Sequence, residues 1–375
     1  MSDTPVNPLV ALGRVGQSPW YDFITRDLVH SGELARLIRE DGLLGMTSNP
    51  TIFEKAIASS DSYDADIRRH AEAGRCGSEI FEELAVDDVR AACDVFRTTF
   101  ERTGNGDGTV SLEVSPTLAH DTEGTVHEAE RLWRAVDRPN AMIKIPGTKA
   151  GLSAITRCLS QGINVNVTLL FSLERYAEVV EAHLQGLERR AAMHLSIDHL
   201  HSVASFFVSR VDTKLDPELD RLASSTPEAK SLRGTMAIAN AAKAYALFRE
   251  TLASPRWQAL AAQGAKPQRP LWASTSVKDK AYQDTMYVEQ LIAEQTVNTL
   301  PPETFTAYRD HGMPAVRIDA AVASAPARLS ALSAVGLSLS DTTAFLEADG
   351  VSKFAASFRS LLAGIEAKAG ALVAR

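Results

Sequence analysis

Residues 141–171 hold the stretch that decides the fold: Ala-Met-Ile-Lys-Ile-Pro at 141–146, a Gly-Thr turn, a helical pattern from Lys149, and Asn-Val-Asn-Val-Thr-Leu-Leu-Phe at 164–171. Gly162 stands where a helix would end, just before the second apolar run. The next segment repeats the helical i, i+3, i+4, i+7 spacing with Leu173, Tyr176, Ala177 and Val180. This alternation is typical of parallel β-strands joined by right-handed crossovers.

The same unit recurs along the chain. Eight candidate strands can be read in order, at residues 19–22, 43–48, 109–115, 141–146, 164–171, 203–208, 271–275 and 296–300. Eight such units predict a closed (β/α)8 TIM barrel rather than an open doubly wound sheet. The sequence contains neither G-x-G-x-x-G nor G-x-x-x-x-G-K-S/T, which a nucleotide-binding open sheet would favour.

Two stretches exceed a minimal barrel. Residues 211–268 are long for one crossover and predict several extra helices after the sixth strand, and residues 303–375 form an Ala- and Leu-rich tail. We interpret the tail as a C-terminal helical extension packed on the barrel, with an active-site lid as the alternative. The prediction is one barrel domain spanning residues 1–375.

The composition excludes several classes of protein. The chain has 375 residues, 45% of them hydrophobic and 23% charged, and a net charge of −8, so neither extensive disorder nor general binding to nucleic acid or membrane is expected. No signal peptide or 18-residue apolar span is present, which predicts a cytoplasmic protein. Three widely spaced cysteines indicate neither a disulfide framework nor a zinc site.

Polar side chains recur on one face of several predicted strands. Side chains alternate along a strand, so the members of each strand's set share a face. The sets are Ser111, Glu113 and Ser115; Met142, Lys144 and Pro146; Asn164, Asn166 and Thr168; Ser205 and Phe207. The aliphatic residues between them are expected to face the helices. Interior polar groups belong near the C-terminal mouth of a barrel, where enzymes of this fold react.

Lys144 is the sharpest of these features, because it lies in mid-strand between Ile143 and Ile145. Burial disfavours the charged form of a lysine, and the free amine is a nucleophile toward carbonyl groups. The alternative is a structural ion pair across the barrel, for which Glu113 on the adjacent strand is available.

Other polar positions admit plain structural explanations. Asp22 and Asn49 are equally consistent with helix caps, and Asn166 and Thr168 with hydrogen-bonded core positions. His199 and His201 would share a face of a strand, yet no third ligand lies nearby, so we expect a solvated loop and no metal site.

Seven short segments in order carry a family resemblance. They are Trp-Tyr-Asp at 20–22, Thr-Ser-Asn-Pro-Thr at 47–51, Val-Ser-Leu-Glu-Val at 110–114, Ile-Lys-Ile-Pro-Gly-Thr at 143–148, Asn-Val-Thr-Leu-Leu-Phe at 166–171, Ser-Phe-Phe-Val-Ser-Arg at 205–210 and Trp-Ala-Ser-Thr-Ser-Val-Lys at 272–278. Through them the sequence resembles the transaldolases of the longer bacterial type.

The resemblance implies a Schiff-base transferase of the pentose phosphate pathway. It would move a dihydroxyacetone unit from fructose 6-phosphate or sedoheptulose 7-phosphate to erythrose 4-phosphate or glyceraldehyde 3-phosphate. Lys144 would be the Schiff-base lysine, Glu113 would relay protons with Thr168 through a water, and Asp22 would be the base that triggers carbon–carbon cleavage. A protonated imine is itself an electron sink, so no metal or cofactor is expected.

The resemblance also implies the binding residues. Asn49, Asn166 and Ser205 would hold hydroxyl groups of the three-carbon unit, Phe207 would shape the pocket, and Arg210 would bind the phosphate. Shorter transaldolases place a serine and an arginine after the seventh strand. Here Ser274 matches the serine, and Lys278 takes the place of the arginine. Lys278 lies in a Lys-Asp-Lys run, so a solvated lysine remains the alternative.

Two other functions stay open. One is a sugar-phosphate aldolase that releases free dihydroxyacetone, although the related aldolases carry Gln and Tyr where this chain has Glu113 and Phe207. The other is a non-catalytic barrel of the same family. The partners expected are sugar phosphates, and the sequence leaves monomer and homodimer open.

Overall fold

Eight parallel strands close into a barrel in the order β1 to β8 in the computed structural model, which describes residues 7–374. The barrel closes between β1 and β8, where Gln17 pairs with Thr296. The strands are β1 Gln17–Asp22, β2 Gly45–Thr47, β3 Thr109–Glu113, β4 Ala141–Pro146, β5 Val165–Leu170, β6 Ser202–Phe207, β7 Arg269–Ala273 and β8 Thr296–Leu300. The predicted (β/α)8 barrel is confirmed.

Several strands end earlier than predicted, for local reasons. β3 stops at Glu113 because Pro116 opens a 3-10 turn over Pro116–Leu118, and the Ser115 hydroxyl accepts the amide of Thr117. β7 lies two residues earlier than predicted, because Ser274 has a φ of 56° and leaves the strand. A left-handed φ is rare outside glycine, so this turn is locally strained.

Sixteen α-helices are present in the described residues. They are α1 Pro8–Arg14, α2 Arg26–His30, α3 Glu33–Glu40, α4 Pro50–Ser59, α5 Asp64–Glu72, α6 Gly77–Arg102, α7 Thr122–Val136, α8 Lys149–Gln161, α9 Leu173–Ala192, α10 Ser209–Leu222, α11 Met236–Ala253, α12 Pro255–Ala261, α13 Met286–Glu289, α14 Pro302–His311, α15 Ile318–Ala334 and α16 Leu339–Val373. No single one of them is long and apolar enough to cross a membrane; only α15 and α16 taken together reach that composition, and they meet at 92°.

Gly162 ends a helix, as predicted, and the helices on either side of β4 pack on the barrel. The Thr148 hydroxyl accepts the amide of Gly151 and begins α8, and Gly162, with a φ of 93°, ends it. In α7 the apolar positions Ala129, Leu132 and Val136 are buried against the barrel. The two helices therefore return the chain to the start of the next strand.

The insertion after β6 forms α10, a 3-10 helix over Pro227–Leu232, α11 and α12, so the prediction of several helices is confirmed. The tail forms α14, α15 and α16. Near the end of α16, Nζ of Lys368 donates to the carbonyls of Ile57 at 3.1 Å and Ser60 at 2.7 Å, at the C-terminal end of α4. The tail packs on the barrel, and the division of the chain into domains stays a prediction.

The strand alternation breaks in β5. Leu169 has a φ of 61°, and the pairing with β6 shifts register between Val167 and Leu170. The side chain of Leu169 thereby meets α16: a Cβ added at Gly350 would lie only 3.1 Å from Leu169 Cδ2. Gly350 thus permits a close approach of α16 to the end of β5.

Two buried carboxylates tie α10 to its neighbours. Asp212 accepts the amide of Ala237 at 2.8 Å and the hydroxyl of Tyr287 at 2.9 Å, and Asp216 accepts the hydroxyl of Tyr282 at 2.7 Å. Burial raises the pKa of Asp212 from 3.8 to about 7, which the two hydrogen bonds only partly offset. The bond from Ala237 joins α10 to α11, and the two tyrosine bonds join α10 to the segment that follows β7.

The raised pKa predicts how stability depends on pH. The contribution of Asp212 is fully present below its ordinary pKa of about 4 and is lost as pH rises through 7. We therefore expect the difference in free energy of unfolding between Asp212→Asn and the wild type to change between pH 5 and 8, in favour of the variant, by about 2–3 kcal/mol. Chemical denaturation at each pH measures it. The exposed carboxylate of the same helix gives the control, Asp220→Asn, and a parallel change in that variant would contradict the assignment.

Candidate active site

A cavity of about 470 Å³ opens at the C-terminal ends of the strands. Its size suits a small organic ligand. Most predicted site residues line it: Asp22, Asn49, Lys144, Thr168, Ser205, Phe207, Arg210, Ser274 and Lys278. The other two, Glu113 and Asn166, do not line the cavity but contact residues that do.

Lys144 is held in the middle of this arrangement by β4. Its side chain is 5% exposed, and Nζ lies 3.2 Å from Oε2 of Glu113 and donates to the carbonyl of Ser48 at 3.1 Å. Glu113 reaches it because β3 and β4 pair these two residues in register. The ion pair foreseen as the structural alternative is therefore formed. It also places a proton acceptor beside an amine that faces a cavity.

The Asp22 carboxyl lies across the mouth, at the end of β1. Oδ1 accepts the hydroxyl of Thr47 at 2.6 Å, and Thr47 in turn contacts the hydroxyl of Thr299 at 2.6 Å. Burial raises the pKa of Asp22, while the charge of Lys144 and the bond from Thr47 oppose the increase. A carboxylate with a raised pKa in a cavity suits the exchange of protons with a ligand.

Glu113 is buried more completely than Asp22. Burial raises the pKa of its carboxyl, and the charge of Lys144 opposes this increase only in part. Apart from Lys144, no group in the described residues donates a hydrogen bond to its two oxygens, and the hydroxyl of Thr168 likewise has no partner there. Both groups are thus available for proton transfer.

A short hydrogen-bonded chain orients the floor of the site. Ser205 donates to Oδ1 of Asn166 at 2.7 Å, and Asn166 Nδ2 donates to the hydroxyl of Ser111 at 2.9 Å. All three residues are buried and come from β3, β5 and β6, so the inward faces predicted from alternation are confirmed for them. Asn49 caps α4, because its Oδ1 accepts the amide of Ile52 at 3.0 Å. Asn49 also lines the cavity.

Arg210 stands between two aromatic rings. Its Cζ lies 5.0 Å from the ring centre of Phe207 and 6.0 Å from that of Phe354 on α16. Burial lowers its pKa, and Nη1 is buried without a hydrogen-bond partner in residues 7–374. A desolvated guanidinium with a free N–H group is suited to binding an anion.

The turn after β7 completes this side. Ser209 donates its amide to the carbonyl of Ser274 at 3.0 Å, and the two hydroxyls lie 3.2 Å apart. The exposed Lys278 and the buried Ser276 also line the cavity. The cations there, Lys55, Lys144, Arg210, Lys278 and Lys353, outnumber the carboxylates of Asp22 and Glu303. An acidic protein thus presents a locally cationic mouth.

Comparison with known proteins matches this chain to a family. The family model for transaldolase/fructose-6-phosphate aldolase covers residues 19–365. The chain belongs to this family. Curated relatives named transaldolase are 49% identical in Frankia alni, over 97% of this chain and 98% of the relative, and 50% identical in Thermobifida fusca, over 95% and 96%. A relative named transaldolase 2 in Nostoc is 46% identical over 97% and 98%.

In this member of the family, α16 also brings residues to the cavity. No pattern in the sequence predicted Lys353 and Phe354, nor Lys55 on α4 and Glu303 on α14. Nothing in the helical spacing of the tail separates Phe354 from an aromatic residue that only packs, such as Phe358 one turn later. The tail therefore packs on the barrel and also lines the site.

Two other features of this family member lie apart from the cavity that Lys144 lines. His199 is exposed as expected, but the prediction of a solvated loop was wrong for His201, which is 7% exposed and packs against Phe100 at the opposite end of the barrel. No group of three or more metal-binding side chains occurs within the described chain. A larger cavity of about 740 Å³ lies between α6 and α7. Its lining includes Glu113 of β3 but not Lys144, and Arg131 forms an ion pair with Glu82 beside it.

Proposed function

We propose that the protein is a transaldolase, which transfers a dihydroxyacetone unit from a ketose phosphate to an aldose phosphate through an imine on Lys144. The observation that carries the proposal is the buried amine of Lys144, which faces a cationic cavity with Glu113 at 3.2 Å and Asp22 on the same cavity wall. Relatives of nearly full length that bear the name transaldolase support it.

Imine formation uses the first carboxylate. The Lys144 amine adds to the C2 carbonyl of the ketose phosphate, and the former carbonyl oxygen leaves as water after it has taken up protons. Glu113, with Thr168 nearby on β5, would move these protons. Burial raises the pKa of Glu113, and the contact of its carboxyl with Nζ gives it access to the amine.

Cleavage uses the second carboxylate. Asp22 would take the proton of the C4 hydroxyl, the C3–C4 bond would break, and its electron pair would pass to the imine nitrogen. An aldose phosphate leaves and a three-carbon enamine stays on Lys144. Attack of this enamine on an acceptor aldehyde reverses the steps and forms the new ketose phosphate. The two carboxylates differ in surroundings, which permits two tasks.

Substrate binding follows the same geometry. Asn49, Asn166 and Ser205 would hold hydroxyl groups of the three-carbon unit, and Phe207 would form a wall beside it. Arg210, Ser274 and Lys278 would bind the phosphate. The cationic mouth supports this assignment, because a net charge of −8 cannot attract a sugar phosphate without a local cationic site.

The substitution Arg210→Ala tests the phosphate site. We expect it to raise the Michaelis constant for fructose 6-phosphate far more than that for unphosphorylated fructose, with a loss of roughly 2–5 kcal/mol, because the guanidinium is desolvated. Lys278→Ala should act in the same direction more weakly, since Lys278 is exposed. Initial rates with both substrates measure the effect. Equal weakening of the two substrates would point instead to a structural role for Arg210.

An activity assay separates the candidate functions. Incubation with fructose 6-phosphate and erythrose 4-phosphate should yield sedoheptulose 7-phosphate and glyceraldehyde 3-phosphate, and the rate should survive exhaustive chelation. A fructose 6-phosphate aldolase would instead release free dihydroxyacetone without an acceptor, and a non-catalytic barrel would do neither. Glu113 and Phe207 favour the transferase. A cytoplasmic location and a monomer or homodimer stay predictions.

A further inference from the structure

Phe354 sits against the reacting lysine from outside the barrel. Its ring centre lies 5.8 Å from Nζ of Lys144 and 6.0 Å from Cζ of Arg210, and the residue is 6% exposed. It belongs to α16, whereas the proposed catalytic residues come from strands of the barrel. One apolar ring from the tail thus faces both the amine and the predicted phosphate-binding cation.

Contacts one turn before and one turn after Phe354 determine the position of its ring. One turn earlier, Gly350 lets the helix approach Leu169, the residue held at positive φ at the end of β5. One turn later, Ser357 accepts the hydroxyl of Thr51 on α4 at 2.9 Å. The helix therefore cannot shift along its axis without losing one of these contacts, and Phe354 stays over the amine.

The proposed transfer leaves a three-carbon unit on Lys144 between two substrates, and water competes for it. If the enamine takes a proton at C3, it becomes a protonated imine. Water can then add at C2, the C2–N bond breaks, and free dihydroxyacetone leaves the regenerated amine. This side reaction needs only a proton and a water molecule, so its rate depends on how well the site excludes water.

We propose that Phe354 is a specificity-determining residue, which limits hydrolysis of the three-carbon unit on Lys144 so that transfer to an aldose phosphate exceeds release of dihydroxyacetone. The inference rests on the proposed transaldolase function. An aromatic face attracts a neighbouring cation, and an apolar ring beside C2 occupies space that water would need. Phe354 would thereby help to separate a transferase from an aldolase.

The same helix offers a matched control. Phe358 lies one turn after Phe354 and packs edge-on against Phe81, with ring centres 5.6 Å apart. It lines the cavity between α6 and α7, whose lining also includes Glu113, and it is absent from the cavity that Lys144 and Arg210 line. Removal of either ring perturbs the packing of α16, but only one of them faces Lys144.

The experiment measures product partition. The wild type, Phe354→Ala, Phe354→Leu and Phe358→Leu are each given fructose 6-phosphate and erythrose 4-phosphate, and free dihydroxyacetone is compared with sedoheptulose 7-phosphate. We expect the ratio to rise about tenfold or more in Phe354→Ala, to rise less in Phe354→Leu, which keeps apolar bulk, and to stay unchanged in Phe358→Leu. Melting temperatures identify any variant that fails to fold, in which case Phe354→Leu decides.

Other outcomes overturn the inference. If Phe354→Ala or Phe354→Leu folds and has lower total activity, but the ratio of dihydroxyacetone to sedoheptulose 7-phosphate is unchanged, Phe354 serves only in packing. An equal rise in Phe358→Leu would assign the effect to α16 as a whole. A wild type that forms no sedoheptulose 7-phosphate would refute the proposed function itself, which is a distinct result because it appears before any variant is made.

Discussion

Replacement of Lys144 by methionine should reduce the transfer rate by on the order of 10⁴–10⁶-fold, as removal of a covalent nucleophile does in other enzymes. Methionine has a similar length and no amine, so the buried position stays filled. The measurement is the initial rate of transfer between fructose 6-phosphate and erythrose 4-phosphate. Lys149→Ala is the matched control, because Lys149 is exposed at the start of α8, five residues away, and should leave the rate unchanged.

Covalent trapping gives the same assignment an independent readout. Borohydride reduction during incubation with fructose 6-phosphate should leave a three-carbon adduct, and peptide mass spectrometry should locate it on Lys144. No adduct should form in Lys144→Met. An adduct on Lys149, or full activity of Lys144→Met, would refute the imine assignment and leave the contact with Glu113 as a structural ion pair.

The second large effect is expected at Asp22. Asp22→Asn should still form the imine but should cleave it more slowly, by on the order of 10²–10⁴-fold, because the amide cannot take the C4 hydroxyl proton. Asparagine can still accept the hydroxyl of Thr47, so the geometry of the mouth should persist. Single-turnover kinetics, with the imine trapped at successive times, separate formation from cleavage.

Two further variants test this division of labour. Glu113→Gln should slow imine formation itself, because Glu113 is the carboxyl in contact with Nζ. Glu303→Gln changes another carboxylate that lines the cavity and has no assigned step, so it should alter both steps by only a few fold. If Asp22→Asn and Glu113→Gln slow the same step equally, the assignment of separate tasks is incorrect.

The sequence predicted the barrel well because two short-range patterns determine it. Alternation along 110–114 and 143–146 placed Glu113 and Lys144 on inward faces, and parallel register then paired them. Caps and stops such as Thr148 and Gly162 are equally local. The prediction of strand ends was less accurate. The chain leaves β7 at Ser274 through a left-handed φ, which the presence of a serine does not predict.

The remaining parts of the site depend on long-range packing. Phe354 reaches the cavity only because α16 packs beside α4, where Ser357 accepts the hydroxyl of Thr51, and no local pattern predicts that path. The burial of His201 likewise depends on Phe100, which lies a hundred residues earlier in the chain. The roles of Lys144, Asp22, Glu113 and the binding residues stay predictions until the variants are measured.

The wall that α16 adds to the cavity has a consequence for the order of events during biosynthesis. Translation proceeds from the N-terminus, at roughly 5–20 residues per second, so Phe354 follows Lys144 by tens of seconds. The ribosome-bound chain therefore contains Lys144 before it contains the ring of Phe354 that lies over its amine. In a nascent chain, or in a product cleaved by a protease ahead of α16, the amine of Lys144 would meet cellular metabolites without the ring of Phe354 over it.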